Sequence, residues 1–240
     1  MIDSDQFLER FRLLSRDIQI GIQTANKKIA EIKNQPQADS VEKLDATLKK
    51  IGEDWDDFSG WILISTLENI EEAKKNCALG TLNLKSKISR SKKKAITDAN
   101  KHGVKIDDRE VKDIEIDSYI QYVEQMLDLI FSNAVKYSPR GSTVSISAAW
   151  KGSVAVVTID SMGPLIHKHE KDQLGKKSFR SENALKSGKP GGGYGLFNVL
   201  KLSQLLDVDI SFNPSLKSSF QFEQVDYGNF SVKLNFKSSI

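Results

Sequence analysis

Three side chains that could bind a charged ligand lie in one short stretch, residues 123–141, which reads VEQMLDLIFSNAVKYSPRG. Asn133, Lys136 and Tyr137 are three or four residues apart, so a helix places them on one side. An amide oxygen, a cation and a phenol in one cluster are more typical of a binding site for a magnesium–nucleotide complex than of a hydrophobic core. The alternative is an ordinary surface helix with a few polar residues, because short motifs on helices often match by chance.

The same stretch carries the apolar pattern of one buried helical face. The apolar positions are Met126, Leu127, Ile130, Phe131 and Ala134. The helix is predicted to stop at Ser138, because a residue before proline disfavours helical backbone angles. A turn at Arg140 and Gly141 then leads into a strand over residues 143–150. The polar cluster is therefore predicted near the C-terminal end of a helix that precedes a strand.

Composition limits the classes of protein that this chain can be. Its 240 residues are 39% hydrophobic and 28% charged, which suits one or two soluble domains. We expect no membrane span and no secretory signal, because no apolar run is long enough and the first residues carry acids. The single cysteine, Cys77, excludes an internal disulfide framework and agrees with a reducing cytoplasm. A net charge of +3 is too small to indicate nucleic-acid binding.

The first part of the chain predicts an antiparallel helical hairpin. Residues 7–32 and 41–62 each repeat apolar residues in steps of three and four, which is typical of a heptad seam. The seam residues are Phe7, Phe11, Leu14, Ile18, Ile22, Ala25, Ile29 and Ile32, then Val41, Leu44, Leu48, Ile51, Trp55, Phe58 and Ile62. Because two helices bury little, we expect a second copy to complete a four-helix dimer. The alternative is that the seam packs on the rest of its own chain.

The rest of the chain predicts a second, strand-rich domain. The charged residues 85–112 are interpreted as a helix end and the entry into this domain, so the predicted domains are 1–100 and 101–240. Residues 144–148 and 154–158 alternate as two strands joined by a turn, and Asp160 is predicted at the exit of the second.

A polar stretch follows, and the domain then closes with helix and strand patterns. Residues 167–190 show no clear periodicity and are long enough to suggest a mobile lid. A glycine run and a helix at residues 196–206 come next. Two closing strands are predicted at 208–212 and 230–236, with a third candidate at 220–222.

The order of these features resembles the GHKL (Bergerat-fold) ATP-binding domain of sensor histidine kinases, which shares its fold with gyrase, the Hsp90 chaperone and MutL. The resemblance covers residues 104–240, and the hairpin resembles the dimerisation region of the kinases more loosely. It implies an α+β protein in which an antiparallel helical hairpin precedes a two-layer α/β sandwich with a mixed sheet. It also implies ATP and Mg²⁺ as ligands.

The resemblance assigns roles to residues of the first half of the site. Asn133 would hold Mg²⁺ through its amide oxygen, a hard ligand for a hard cation. Lys136 would meet phosphate oxygens, and Tyr137 would lie against the nucleotide. Asp160 matches the acid that accepts a hydrogen bond from the adenine amino group, since a carboxylate cannot donate.

The lid and the glycine run complete the implied site. Phe179 and Arg180 resemble the box inside the lid, with Arg180 as a γ-phosphate contact. The second glycine box comprises Gly191, Gly193, Gly195 and the following Leu196. Glycines let backbone N–H groups approach phosphates, and the helix that follows contributes its positive end.

Two departures from the family bear on the nucleotide. The first glycine box of the family reads Asp-x-Gly-x-Gly, whereas this chain has Asp160-Ser161-Met162-Gly163-Pro164, so Gly163 fits only with one inserted residue. Nucleotide binding is therefore predicted, in a weakened form. Leu129 stands where gyrase-like members carry a glutamate, and Asp128 is one residue away and points elsewhere on the helix. Efficient ATP hydrolysis is disfavoured.

A third departure lies in the first helix. The kinases carry a phosphoacceptor histidine followed by an acid, and residues 14–21 resemble that segment with Arg16 at the histidine position and Asp17 as the acid. A guanidinium is always protonated and has no nucleophilic lone pair. The alternative is that the helix only looks similar and Arg16 is an ordinary surface residue. In both cases no histidine of the hairpin can take a phosphoryl group.

The resulting hypothesis is an ATP-binding, histidine-kinase-like pseudokinase that acts as a regulatory homodimer with a protein partner in a signalling pathway. One alternative is an active kinase or phosphotransferase that modifies a histidine of another protein. A second is an interaction module with a vestigial nucleotide site. A third, an ATPase of the gyrase or chaperone kind, is disfavoured by Leu129.

Overall fold

The computed structural model describes residues 4–34, 41–44, 46–48, 51, 55, 58, 67, 70–75 and 79–237. Cys77 and Ile62, and the side chains of Phe7, Phe11 and Leu14, lie outside the described residues. The chain divides into two compact units, one of residues 1–68 and 190–192, the other of residues 69–189 and 193–240. None of the described helices is both long and apolar enough to span a membrane.

The first unit is a helical hairpin, as predicted. Helix α1 spans Ser4–Asn34, and the described residues between 41 and 67 are also helical. Lys28 Nζ donates to Thr47 Oγ1 at 2.8 Å, and a Cβ on Gly21 would lie 2.6 Å from Ile51 Cγ1. Because residue numbers fall along α1 while those of its neighbours rise, the helices run antiparallel. Gly21 lets them approach closely.

The second unit combines a large mixed sheet with a small two-stranded one. Its strands are β1 (Leu79–Asn83), β2 (Lys105–Val111), β3 (Glu115–Tyr119), β4 (Thr143–Lys151), β5 (Val154–Pro164), β6 (Asp209–Pro214), β7 (Phe220–Phe222) and β8 (Val225–Lys237). The large sheet has the order β2-β4-β5-β8-β6, with β7 paired to β8, and β1 pairs with β3. Only β2 and β4 run parallel; the other described pairs are antiparallel. The strands predicted from the sequence are therefore confirmed, and the β1–β3 pair is new.

Helices cover one face of the large sheet. They are α2 (Ile70–Lys75), α3 (Leu84–His102), α4 (Ile120–Tyr137), α5 (Glu182–Lys186) and α6 (Gly195–Leu206), with a 3₁₀ helix at Lys168–Gln173. Ile159 pairs with Ile146 and Val232 across the sheet, and all three are buried. Their neighbours on the other face are polar: Thr158 pairs with Ser147 and Lys233. This two-layer arrangement confirms the predicted fold class.

The second unit begins earlier than predicted. The predicted boundary at residues 100–101 falls inside the last turn of α3, whereas the structure divides the chain at residue 69. Leu84 and Ile88 of α3 are fully buried, and Leu84 N donates to Ile114 O at 2.8 Å. The many charges of α3 conceal this apolar face in the sequence, so the pattern predicts only a helix end and the entry into the second domain.

Asp128 ties α4 to α3. Its carboxylate accepts from Ser91 Oγ at 2.6 Å and from Lys94 Nζ at 2.8 Å, and Arg90 lies 3.3 Å away. Burial by itself would raise the pKa of Asp128, but the hydrogen bonds from Lys94 and Ser91 outweigh it and lower the pKa below its ordinary value. Asp128 therefore points towards α3.

Replacement of this carboxylate should give a pH-dependent loss of stability. Asp128→Asn is expected to cost about 1 kcal/mol at pH 7, because charge-assisted hydrogen bonds are lost. A lowered native pKa stabilises the fold above the unfolded-state value of about 4, and that stability disappears as pH falls through the native pKa. Thermal melts of both proteins between pH 7 and 2.5 should converge at the acid end. Asp98→Asn, which removes an exposed pair with Lys101, is the control and should melt like wild type.

Candidate functional site

Helix α4 positions the polar cluster that the sequence singles out. Its apolar face is inaccessible to solvent at Val123, Met126, Leu127, Ile130 and Phe131. The helix ends at Ser138, whose N–H donates to Ala134 O and whose Oγ donates to Met162 O of β5 at 3.1 Å. Burial on one side and this bond at the end fix the orientation of α4 over the sheet. Asn133 lies about 7.5 Å before Ser138 along the helix axis.

Asn133 lies directly against the start of α6. A Cβ on Gly195 would lie 2.5 Å from Asn133 Nδ2 and 2.8 Å from Asn133 Oδ1. Nδ2 is buried and has no hydrogen-bond partner, and the residue as a whole is half-buried. The first turn of a helix offers unpaired N–H groups. A partly exposed amide and a helix N-terminus thus meet at one point, which fits a hard cation with phosphate.

Gly193 joins the glycine run to the lid. A Cβ there would lie 2.7 Å from Ser178 C and 2.8 Å from Phe179 O, and its φ is +79°. Both facts require glycine, because a side chain would clash with backbone and would strain the dihedral angle. Gly191 has a φ of +130° and belongs to the segment that is grouped with the first unit, so its position relative to Gly193 and the lid is not described.

Arg180 is engaged by its own segment. Its Nη2 donates to Lys189 O at 2.6 Å and to Ala184 O at 3.0 Å, so the guanidinium ties together the C-terminal part of the lid. The predicted γ-phosphate contact would have to use the other guanidinium nitrogens, because both N–H groups of Nη2 are taken. Lys136 Nζ lies 5.8 Å from the centre of the Tyr137 ring, and Leu196 is half-buried. The ligand roles of these residues stay predictions.

Unpaired buried polar atoms gather around residues 193–198. Among the described side chains they are Asn133 Nδ2, Arg180 Nε and Asn198 Oδ1. Asn133 lies against Gly195, Arg180 follows the peptide that Gly193 packs on, and Asn198 lies one turn into α6. Such atoms are rare in native proteins and call for a local explanation, of which ligand binding is one. Sequence reasoning missed Asn198; the signal is an asparagine at a buried position of an apolar helix.

Asp160 does not join this group. Strand β5 continues to Pro164, and Asp160 pairs with Ser145 and Ser231 on the exposed, polar face of the sheet. Successive strand residues point to opposite faces, so Asp160 points away from the helices that carry Asn133. The prediction that Asp160 lies at the exit of its strand, beside the nucleotide, is therefore wrong.

Ser161 takes the place on the helix-covered face. It is 8% exposed, and its Oγ donates to Phe230 O at 3.3 Å. Ser161, Gly163 and Leu165 also align with the family spacing Asp-x-Gly-x-Gly without an insertion, with serine at the acidic position and leucine at the second glycine. The signal was present in the sequence, because Val157 and Ile159 alternate on the buried face and the next residue in phase is Ser161.

The segment predicted as a mobile lid is built from regular elements. It contains the 3₁₀ helix Lys168–Gln173 and α5. Glu170 is buried, and its two carboxylate oxygens accept from His167 N and Glu182 N, each at 2.8 Å. Asn183, also buried, donates to Leu165 O at 3.0 Å. Side-chain hydrogen bonds that carry no sequence periodicity therefore order this segment.

Comparison with known sequences identifies the type of domain. The profile of the histidine kinase-, DNA gyrase B- and HSP90-like ATPase family matches residues 119–229. An uncharacterised sensor-like histidine kinase of Rhizobium meliloti is 28% identical over 114 residues, which are 47% of this chain and 22% of that protein. The chain thus spans about a fifth of the length of that relative. Residues 119–229 are thus similar to domains of the histidine-kinase-like ATPase type.

Comparison with solved structures shows the same fold. Histidine kinase AdeS of Acinetobacter baumannii aligns with a TM-score of 0.58 at 15% identity, over 92% of this chain and 97% of that chain. Full-length ShkA in complex with AMPPNP aligns with a TM-score of 0.59 at 15% identity, over 94% of this chain and 46% of that chain. At these identities the likeness concerns the fold alone.

Proposed function

We propose that this chain is an ATP-binding, histidine-kinase-like signalling protein that does not phosphorylate itself at the usual position. The observation that carries the proposal is the contact between Asn133 and Gly195 at the start of α6. There the Asn133 amide oxygen would hold Mg²⁺, and the helix N-terminus would hold phosphate. When bound, Mg²⁺ neutralises charge on the phosphate oxygens. The profile match over residues 119–229 supports ATP as the nucleotide.

The absence of self-phosphorylation rests on α1. Arg16 and Asp17 are both exposed on this helix, which supports the assignment of Arg16 to the histidine position of the family. A guanidinium cannot act as a phosphoryl acceptor because it stays protonated. Leu129, at the position of the water-activating glutamate in gyrase-like members, has no proton-accepting group.

A homodimer through the hairpin is part of the proposal. Several predicted seam residues stay exposed within the single chain, and they are spaced by seven residues: Ile22 and Ile29 on α1, then Val41, Leu48 and Trp55 on the second helix. Their exposed fractions run from 37% to 55%, which is high for large apolar side chains. Apolar residues repeated at heptad spacing favour a second hairpin as the cover, because it would bury the same stripe from both copies. The dimer would present its surface to a protein partner in the pathway.

Asn133→Ala tests nucleotide binding. We expect ATP with Mg²⁺ to raise the melting temperature of the wild type, and its affinity to fall at least tenfold in the variant, since the metal ligand is lost. Calorimetric titration of the full chain gives both dissociation constants. Ser132→Ala, an exposed neighbour on α4, is the matched control and should bind like wild type.

A wild-type chain that shows no binding at millimolar Mg²⁺ and ATP would end the proposal. It would leave the second candidate, an interaction module with a vestigial nucleotide site, which is favoured by the orientation of Asp160 and by the engagement of Arg180.

Incubation with γ-labelled ATP should place no acid-labile label on the chain. Label on the hairpin would contradict the role given to Arg16.

A further inference from the structure

The nucleobase end of the candidate site lacks the carboxylate that the sequence suggested. Strand β5 carries one acid, Asp160, and the strand pairing turns it to the face opposite the helices. On the helix-covered face the same strand presents Ser161, a neutral hydroxyl held by Phe230 O. The two faces of β5 therefore carry different polar groups, a carboxylate and a hydroxyl. Only the face with the Ser161 hydroxyl is covered by the helix that carries Asn133.

Ser161 lies close to the rest of the candidate site. Ser138 Oγ donates to Met162 O, so the end of α4 is bonded to the carbonyl of the residue that follows Ser161. Asn133 lies one and a half helical turns earlier on the same helix, about 7.5 Å along its axis. Gly163, also on this face, leaves room, since a Cβ there would find its nearest neighbour, Phe230 Cβ, at 3.7 Å. A nucleotide whose phosphates lie at Gly195 would thus have its base near Ser161.

We infer that this site takes purine nucleoside triphosphates without selecting adenine over guanine. The inference rests on the proposed function, because it concerns the base of the same nucleotide. A carboxylate only accepts hydrogen bonds, so it binds the adenine amino group and rejects the guanine carbonyl oxygen at the same ring position. The Ser161 hydroxyl can accept from the amino group while it donates to Phe230 O, or rotate away from this long 3.3 Å bond to donate to the carbonyl oxygen, which makes the two bases nearly equivalent.

Calorimetric titration of the full chain with ATP and with GTP, each with Mg²⁺, tests the inference. We expect the two dissociation constants to agree within about threefold. Asp160→Asn should leave both values unchanged within about twofold, because that side chain is on the opposite face of the sheet. Ser161→Asp should introduce selectivity, with ATP preferred by about tenfold or more, provided that circular dichroism shows the variant folded.

The outcomes separate this inference from the proposed function. A preference of tenfold or more for ATP in the wild type would overturn the inference while leaving the proposed function intact. If Asp160→Asn removed such a preference, Asp160 would be the base-reading group after all. Binding of neither nucleotide would overturn the proposed function, and the inference with it. If Ser161→Asp does not fold, the wild-type comparison and Asp160→Asn decide alone.

Discussion

Gly193→Ala is expected to destabilise the second unit by about 2–5 kcal/mol. The φ of +79° costs an alanine about 1–2 kcal/mol. The added Cβ would also lie under 3 Å from backbone atoms of Ser178 and Phe179, and overpacking of this kind costs about 1–3 kcal/mol more. Backbone cannot rotate out of the way as a side-chain tip can, so the lid must move. Urea unfolding followed by circular dichroism measures the loss.

Gly188→Ala is the matched control for that experiment. Gly188 lies in the same segment with a φ of +61°, but a Cβ there would meet no atom within 4 Å. It should lose only the dihedral cost, about 1–2 kcal/mol. The difference between the two variants therefore measures the packing of Gly193 on the lid. Equal losses would show that this packing contributes nothing.

Glu170→Ala is expected to release the segment between His167 and Glu182. The variant leaves two backbone N–H groups without their buried carboxylate partner, at about 1–3 kcal/mol each. Because the loss is local, opening of the segment should become about 30-fold or more easier while the core stays folded. Limited proteolysis and hydrogen exchange of residues 167–189 measure this opening. The melting temperature should fall less than the cleavage rate rises.

Two variants define what the Glu170 carboxylate does. Glu182→Ala removes an exposed side chain that pairs with Lys186 but keeps the N–H that Glu170 accepts, so cleavage should change less than twofold. Glu170→Gln keeps one acceptor oxygen and should give an intermediate rate. If Glu170→Ala is cleaved like wild type, the two hydrogen bonds do not hold the segment.

Glu170 and Arg180 hold the lid through hydrogen bonds to its own backbone, so contacts within the segment stabilise this conformation. The proteolysis experiment repeated with ATP and Mg²⁺ measures whether nucleotide binding changes the opening of the lid.

Periodicity in the sequence was sufficient for the long elements. Helix α4 and strands β4 and β8 bury one face each, so their apolar residues recur at 3.6 or 2 residues and can be recognised without a structure; α1 shows the same helical recurrence. The same holds for α6, where Leu196 to Leu206 keep helical spacing after a glycine. Helix α3 was not predicted in full from the sequence, because its few buried residues lie among many charged ones. The elements of the lid were not predicted from the sequence, because individual side-chain hydrogen bonds, such as that from Glu182 N to Glu170, hold them in place.

The sequence by itself determined which residue types stand near one another along the chain: Asn133 on its helix, glycines 193 and 195 before the next, and an arginine at position 16. Only the tertiary structure decided which of them meet in space. It brought Asn133 against Gly195, because two helices pack on one face of the sheet, and it turned Asp160 away, because a strand that runs unbroken to Pro164 alternates its side chains between faces. A motif match does not reveal a one-residue difference in register, although this difference places a carboxylate on the opposite face of the sheet.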